Sequence, residues 1–225
     1  MTMIKSVNLS KTFMKDSSCT YAVYDCNVEI NEGEFVVISG VKESGKTTLL
    51  HLLGGYERPS DGTVFINNND VSLFNDDELA NIRRKEVGYL HRNDSLIPEL
   101  TVHENIIMPL LLDDGSYDEE YFNELTDSLH LTGILKRYPK HLNTIQLRYV
   151  TLARALINRP SILLMDEPIF DFYPQIDKDV LDYLLNIVRI DNKTFIMVTN
   201  RQEYSIYANH IIKLRSGVVV EDKFV

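Results

Sequence analysis

The sequence predicts an α/β fold carrying a helical insert, on three observations. An apolar run, Phe35-Val36-Val37-Ile38-Ser39, ends at Gly40 in a Gly-containing loop and leads into a leucine-rich helical pattern. Two further apolar runs, Ile162-Leu163-Leu164-Met165 and residues 194–199, flank another helical pattern over 177–188. From about residue 93 to 157 the periodicity is helical only. Strand–helix alternation around a helical block is the pattern of an α/β core with an inserted set of helices.

Each element has its own signal. The first 40 residues read as strands, with loose alternation over 21–30 and a turn at Asn31-Glu32-Gly33-Glu34. After the Gly-containing loop, Leu49, Leu50, Leu52 and Leu53 mark a helix that Gly54-Gly55 stops. Pro59-Ser60-Asp61-Gly62 is a turn, 63–66 a strand, 76–85 a polar helix and 87–90 a strand. The helical block holds helices over 102–112, 119–129 and 144–157, and 211–214 and 218–220 close the chain as short strands. The expected organisation is one domain, with a core over about 1–90 and 158–225 and a helical subdomain over about 91–157.

Composition narrows the function. The 225 residues are 44% hydrophobic and 25% charged, an ordinary globular balance. A net charge of −10 argues against a nucleic-acid partner, which needs a basic surface, but not against a nucleotide, which needs a few cations aimed at one point. Cys19 and Cys26 suit a reducing compartment and suggest neither a disulfide framework nor a zinc site. The N-terminal MTMIKSVNLSKTF lacks the apolar stretch of a signal peptide, and the longest apolar runs are too short to cross a bilayer. If the protein works at a membrane, another chain is expected to provide the channel.

The strongest chemical signal is Gly40-Val41-Lys42-Glu43-Ser44-Gly45-Lys46-Thr47, followed by Thr48. It fits G-x-x-x-x-G-K-[ST], a pattern that arises by chance in roughly 1% of chains this long. Glycines let the backbone turn tightly, so that its N–H groups converge on phosphate oxygens. The start of the following helix adds positive potential. Lys46 is expected to reach the β- and γ-phosphates of a nucleoside triphosphate, and the Thr47 hydroxyl to hold Mg²⁺. A second signal is the run from Ile162 that ends in Asp166 and Glu167. A strand of this kind delivers its acids to the edge where α/β sheets bind ligands. Asp166 would hold Mg²⁺ through water, and Glu167 would polarise an attacking water as general base.

With these residues in view the chain resembles the ATP-binding subunits of ABC transporters, in the branch serving lipoprotein release, macrolide export and antimicrobial-peptide resistance. Besides residues 40–48, the carrying motifs are Leu49-Leu50-His51-Leu52-Leu53-Gly54-Gly55, Pro59-Ser60-Asp61-Gly62, Leu100-Thr101-Val102-His103-Glu104-Asn105 with Met108-Pro109-Leu110, Leu152-Ala153-Arg154-Ala155-Leu156 and Leu163-Leu164-Met165-Asp166-Glu167-Pro168. They cover the chain in order. The resemblance implies a P-loop RecA-like core with an antiparallel β subdomain and an inserted α-helical subdomain. It implies ATP and Mg²⁺ as cofactors and Phe13 as the aromatic that stacks on adenine. It implies an integral-membrane permease and a second nucleotide-binding subunit as partners. The chain would then lie on the cytoplasmic side, peripheral to the membrane through the permease.

The departures from the family pattern are grouped. Glu43 stands in the loop where the family has Gly; at ~6 Å and an effective dielectric of about 20, its repulsion of a phosphate charge would be on the order of 3 kcal/mol. Arg92 takes the place of the Gln that senses Mg²⁺ and the attacking water; it has donors only. The signature slot, L-S-G-G-Q in the family, reads Leu142-Asn143-Thr144-Ile145-Gln146. Tyr173 replaces an Asp that crosses the dimer, and Asn200 replaces the His that contacts the γ-phosphate. Groups that grip nucleotide within one subunit remain, whereas those that sense the γ-phosphate or complete a partner's site are changed. The expectation is ATP binding with impaired hydrolysis, with Glu167, Asn200 and Arg92 as the candidate catalytic residues. An ATP-bound regulatory or scaffolding module acting on a membrane partner without transport is the alternative reading.

Overall fold

The computed structural model describes residues 1–15, 18–91, 96–112, 116–168 and 174–225. In chain order the elements are β1 (Thr2–Lys15), β2 (Ser18–Cys26), β3 (Glu29–Asn31), β4 (Phe35–Gly40), α1 (Lys46–Leu53), β5 (Asp61–Ile66), β6 (Asn69–Asp70), α2 (Asp76–Lys85) and β7 (Val87–Leu90). They continue with α3 (Val102–Leu111), α4 (Glu119–Ser128), α5 (Thr144–Leu156), β8 (Ile162–Asp166), α6 (Pro174–Asp191), β9 (Thr194–Thr199), β10 (His210–Arg215) and β11 (Val218–Phe224). Short 3₁₀ turns fill several of the connections.

The strands form two sheets. One is antiparallel, ordered β2-β1-β5-β6 with β3 also paired to β1. The other runs β11-β10-β4-β9-β8-β7 and is parallel except for its edge strand β11. This is the mixed α/β architecture the sequence predicts.

Alternation along the central strands shows why they read as unbroken apolar runs. Val36 and Ile38 of β4, Ile162 and Leu164 of β8, and Ile196 and Val198 of β9 face a core shared with α1 and the antiparallel sheet. Phe35 and Val37, Leu163 and Met165, and Phe195 and Met197 face a second core shared with α3, α4, α5 and α6. A parallel sheet covered on both faces has no polar side to show.

Several boundaries differ from the sequence expectations. The stretch 21–30 is two strands, because the chain bends at Asp25, which has φ 44°, and leaves β2 before β3 begins. The last strand runs through Phe224 rather than ending at 220; its polar tail Glu221-Asp222-Lys223 is tolerated on an exposed edge strand. The helix expected over 177–188 spans Pro174–Asp191.

Between β7 and β8 the described residues form helices only. The start of this block is pinned by Asn105, which is fully buried. Its Nδ2 donates to the carbonyls of Ile97, Leu100 and Thr101, each at 3.0 Å, and its Oδ1 accepts from Ile97 N at 2.8 Å. Thr101 caps α3 in a reciprocal box with Glu104. The motif Thr101-Val102-His103-Glu104-Asn105 is therefore a folding device as well as a family mark.

Candidate functional site

The C-terminal ends of β4, β8 and β9 lie side by side, and each hands on to a predicted site residue. The loop after β4 turns through Glu43, at φ 64°, and Gly45, at φ 97°. A Cβ on Gly45 would collide with the Ala22 carbonyl oxygen of β2, so that position admits no side chain. Ser44 is buried in the turn, while Glu43 is exposed to solvent, which weakens the repulsion foreseen for it. Lys46 is almost wholly buried, and its ammonium donates to the Val41 carbonyl at 2.8 Å and to Ser44 Oγ at 3.4 Å.

The two oxygen donors expected to hold a cation meet. Thr47 Oγ1 donates to Asp166 Oδ1 at 3.1 Å. Asp166 is buried at the end of β8. The next residue, Glu167, has φ 51° and its N–H bonds to the Val198 carbonyl at 2.9 Å, which ties the acid pair to β9.

One cavity of about 320 Å³ is lined by Phe13, residues 42–48, Glu167 and Asn200. It thus gathers predicted residues from opposite ends of the chain. Gly40, Val41 and Asp166 do not line it; Gly40 ends β4, and Val41 presents its carbonyl to Lys46. Arg92 and Tyr173 lie outside the described residues. Thr20, Tyr21 and Ala22 of β2 also line the cavity, and sequence reasoning missed them. Phe13 is roughly half exposed and carries the Lys11 ammonium 5.4 Å from its ring centre, while Tyr21 packs edge-on against Tyr24 at 5.0 Å. No local signal marked Tyr21; β1–β2 pairing brings it beside the phosphate loop.

The helix starts differ in a way that bears on anions. The first four N–H groups of any helix lack intrahelical partners. In α2, α3 and α5 a capping box closes this end, and in α4 the Asp118 side chain does so. In α1 the N-cap is Gly45 and no side chain caps it. Among the α-helices whose N-caps are described, α1 alone offers its donors openly to the cavity. In α5, by contrast, the Asn143 side chain accepts from Gln146 N at 2.8 Å, and the Gln146 side chain accepts from Asn143 N at 3.1 Å. The side-chain oxygens of Asn143 and Gln146 are thus spent on their own helix.

A second, larger cavity of about 490 Å³ lies between α2, β7 and the helical block. Its walls include Tyr56, Arg83, Arg84, Tyr89, His91, Ile97, Met108, Pro109, Leu112 and Arg154. Burial, then the nearby Arg154 and His51, hold the His91 ring below the ordinary histidine pKa. Tyr89 lines it and hydrogen-bonds His51 Nε2 of α1 at 2.9 Å. Arg148 of α5 donates to the His91 carbonyl at 3.0 Å and fastens the helical block to the end of β7.

An open phosphate loop with a paired hydroxyl and carboxylate at the edge of a parallel sheet defines a nucleotide-binding module of the P-loop class. A family model described as "ABC transporter" matches residues 23–170. An uncharacterised ABC transporter ATP-binding protein of Methanocaldococcus jannaschii is 37% identical over 221 residues, covering 97% of this chain and 98% of that one. The lipoprotein-releasing system ATP-binding protein of Rickettsia bellii is 33% identical over 214 residues, covering 94% and 95%. A Methanocaldococcus jannaschii cassette, solved as a dimer in a post-hydrolysis state bound to ADP and Pi, superposes with a TM-score of 0.92 at 32% identity, covering 99% of this chain and 98% of that one. The chain belongs to the ABC transporter family, as one of its ATP-binding cassettes. Among the described residues no helix is long and apolar enough to cross a membrane.

Proposed function

We propose that this cassette is the ATP·Mg²⁺-binding subunit of an exporter, and that its own hydrolysis is weak. The observation that supports this reading is the contrast between two helix starts: α1 begins at Gly45 with no side-chain cap at the phosphate loop, and α5 begins Asn143-Thr144-Ile145, with side chains where the resemblance calls for glycines.

Within one subunit the parts for gripping nucleotide suit one another. Phe13 stacks on the base, the N–H groups of residues 42–48 cradle the phosphates, and Lys46 exchanges the Val41 carbonyl for β- and γ-phosphate oxygens. Thr47 Oγ1 and Asp166 Oδ1 are hard oxygen donors of the kind that suits Mg²⁺. Held by Thr47 and Asp166, the ion would offset negative charge on the phosphates. Glu167 and Asn200 face the same cavity, where the first can orient a water and the second can donate to a γ-phosphate.

The partner's site is served less well. In a dimer of the kind solved for the archaeal relative, α5 would close on the nucleotide of the opposite subunit. Here Thr144 and Ile145 add bulk where close backbone approach is needed. The names of relatives, lipoprotein release and macrolide export, support outward transport. We take the helical stretch over about 91–157 as a subdomain, and the groove between it and the core as the seat of the membrane subunit. The chain would then work at the inner membrane face without crossing it.

Steady-state phosphate release measured beside nucleotide binding tests the reading. The expected result is firm ATP·Mg²⁺ binding with turnover at least about tenfold below an active cassette assayed in parallel, since loss of a few transition-state contacts costs that much or more. Turnover equal to the active cassette, and abolished by Glu167→Gln, overturns the weak-hydrolysis part.

A further inference from the structure

We infer that Lys11 is a positioning residue for the nucleotide base: its ammonium holds the Phe13 ring in place and ties that ring to the turn that follows α1. This rests on the reading of Phe13 as the base platform, and it adds what makes the platform rigid.

Phe13 lines the nucleotide cavity, whereas Lys11 does not. The Lys11 ammonium lies over the Phe13 ring, 5.4 Å from its centre, within the range of a cation–π contact. Pairing of β1 with β2 slips on both sides of Lys11, an irregularity of the kind that re-aims a side chain. A lysine usually keeps its ammonium in water, yet this side chain is only 14% exposed. It is held by the Glu57 carboxylate at 2.5 Å and the Arg58 carbonyl at 2.8 Å.

The residues on either side of Lys11 are stitched to the same turn. Thr12 N and Oγ1 both donate to Ser60 Oγ at 3.1 Å, and Ser60 N donates to the Ser10 carbonyl at 2.8 Å. The cation is thus fixed without help from the ring. Phe13 is roughly half exposed, and a side chain that open changes rotamer freely unless something holds it. Lys11 orders the ring before a base arrives, which lowers the entropy lost on binding. Residues 57–60 follow α1, and α1 starts at Lys46 in the phosphate loop. Lys11 therefore joins the base end of the grip to its phosphate end. Charge alone does not explain it, because Glu57 neutralises Lys11 at contact and leaves little field for the phosphates.

The test is isothermal titration of the full chain in Mg²⁺ with ATP and with inorganic tripolyphosphate, which carries the phosphates without the base. Lys11→Met keeps most of the apolar stem and removes the charge. It is expected to weaken ATP about threefold to tenfold and to leave tripolyphosphate within about twofold. Lys11→Gln, which can still donate to the Arg58 carbonyl, repeats the measurement should Lys11→Met fail to fold. Lys11→Arg keeps a cation that stacks on aromatic faces and is expected to restore ATP to within about twofold. In a Phe13→Ala background Lys11→Met is expected to shift ATP affinity by less than about twofold, since no ring is left to hold. A structural brace would act in both backgrounds and on both ligands. Equal loss of ATP and tripolyphosphate, or an ATP loss that persists in the Phe13→Ala background, overturns the proposal. Phe13→Ala alone separates the two levels. If it weakens ATP while Lys11→Met does not, only the positioning role falls; if it leaves ATP affinity unchanged, the base-platform reading falls as well.

Discussion

The hydroxyl of Thr47 and the carboxylate of Asp166, 119 positions apart in the chain, are joined by a 3.1 Å hydrogen bond. The pair sets two oxygens in place for a cation at the foot of the phosphate loop, one to bind it directly and one to hold it through water. Asp166→Asn and Thr47→Ala are therefore expected to remove most of the difference between ATP affinity in Mg²⁺ and in EDTA. The affinity in EDTA should change by less than about threefold, because Lys46 and the loop N–H groups act without the ion. Isothermal titration with and without Mg²⁺ checks this.

Glu43 occupies a left-handed turn that costs an L-residue roughly 1 kcal/mol. Glu43→Gly removes that strain and a carboxylate near the phosphates, against the larger chain entropy of glycine. Tighter ATP binding is expected, by a few-fold at low salt and less at high salt, where exposed charges are screened. Nucleotide titrations at two ionic strengths read it directly. Unchanged affinity at low salt would show that Glu43 points away from the anion throughout.

Clearing side-chain bulk from the start of α5 should let a phosphate approach its backbone. Thr144→Gly and Ile145→Gly remove the bulk over the α5 N–H groups, and Asn143→Ser beside them keeps a cap at the helix start. Two helix glycines cost about 1 kcal/mol each, so a lower melting temperature is expected. Phosphate release should nonetheless rise, by about tenfold or more if α5 serves the opposite site in a dimer. No gain in turnover places the defect elsewhere, with Arg92 and Asn200 the first residues to examine.

His210 is fully buried between two acids, with Nδ1 at 2.8 Å from Glu34 and Nε2 at 2.6 Å from Asp222. Burial alone works against the charged ring, but the hydrogen bonds to both carboxylates prevail and hold its pKa above the ordinary histidine value. Glu34 is shifted the other way: burial would raise it, but His210 and Asn31 draw it below the ordinary glutamate value. The histidine contribution is thus complete below about pH 6.5, the unfolded value, and lost as pH rises through the higher folded one. The Glu34 contribution is complete above about pH 4.3 and lost as pH falls through its lower folded pKa. His210→Asn should cost about 3 kcal/mol at pH 6 and markedly less at pH 9. Urea midpoints at the two pH values decide it; an equal cost at both would mean the ring is neutral in the folded state.

Asn105→Ala removes the side-chain donor from the Ile97, Leu100 and Thr101 carbonyls and the acceptor from the Ile97 N–H, although Ile97 O and Thr101 O keep backbone partners. A loss of about 2–3 kcal/mol is expected, more than an exposed cap would give. Asn105→Asp should be as damaging, because the charged group cannot donate to the carbonyls. Thermal melts compare the two.

The parts of this molecule that were legible in the sequence are those whose signal is local. The phosphate loop, the acid pair at the end of β8 and the strands around them each carry their own pattern within about ten residues. The closed start of α5 was also within reach, since Asn143 and Gln146 are three apart, the spacing of a capping box. What stayed hidden depends on pairing in space. Tyr21 enters the nucleotide cavity only because β2 folds back on β1, and the arginine groove draws its walls from α2, β7, α3 and α5. The bend at Asp25 likewise has no composition signal, because a left-handed aspartate looks like any strand-edge polar residue.

The double-faced sheet has a consequence in time. Every residue of β8 and β9 is buried, and their apolar side chains alternate between the two cores. Freeing one of their amides to solvent therefore requires both cores to let go together. The amides of β4, β8 and β9 should be the slowest to exchange, opening only with the whole molecule, while edge strands such as β11 and β6 open on their own. The nucleotide loops hang from those three slowest strands. Whatever these loops do when they switch, they pivot on a foundation that stays shut for as long as the protein stays folded.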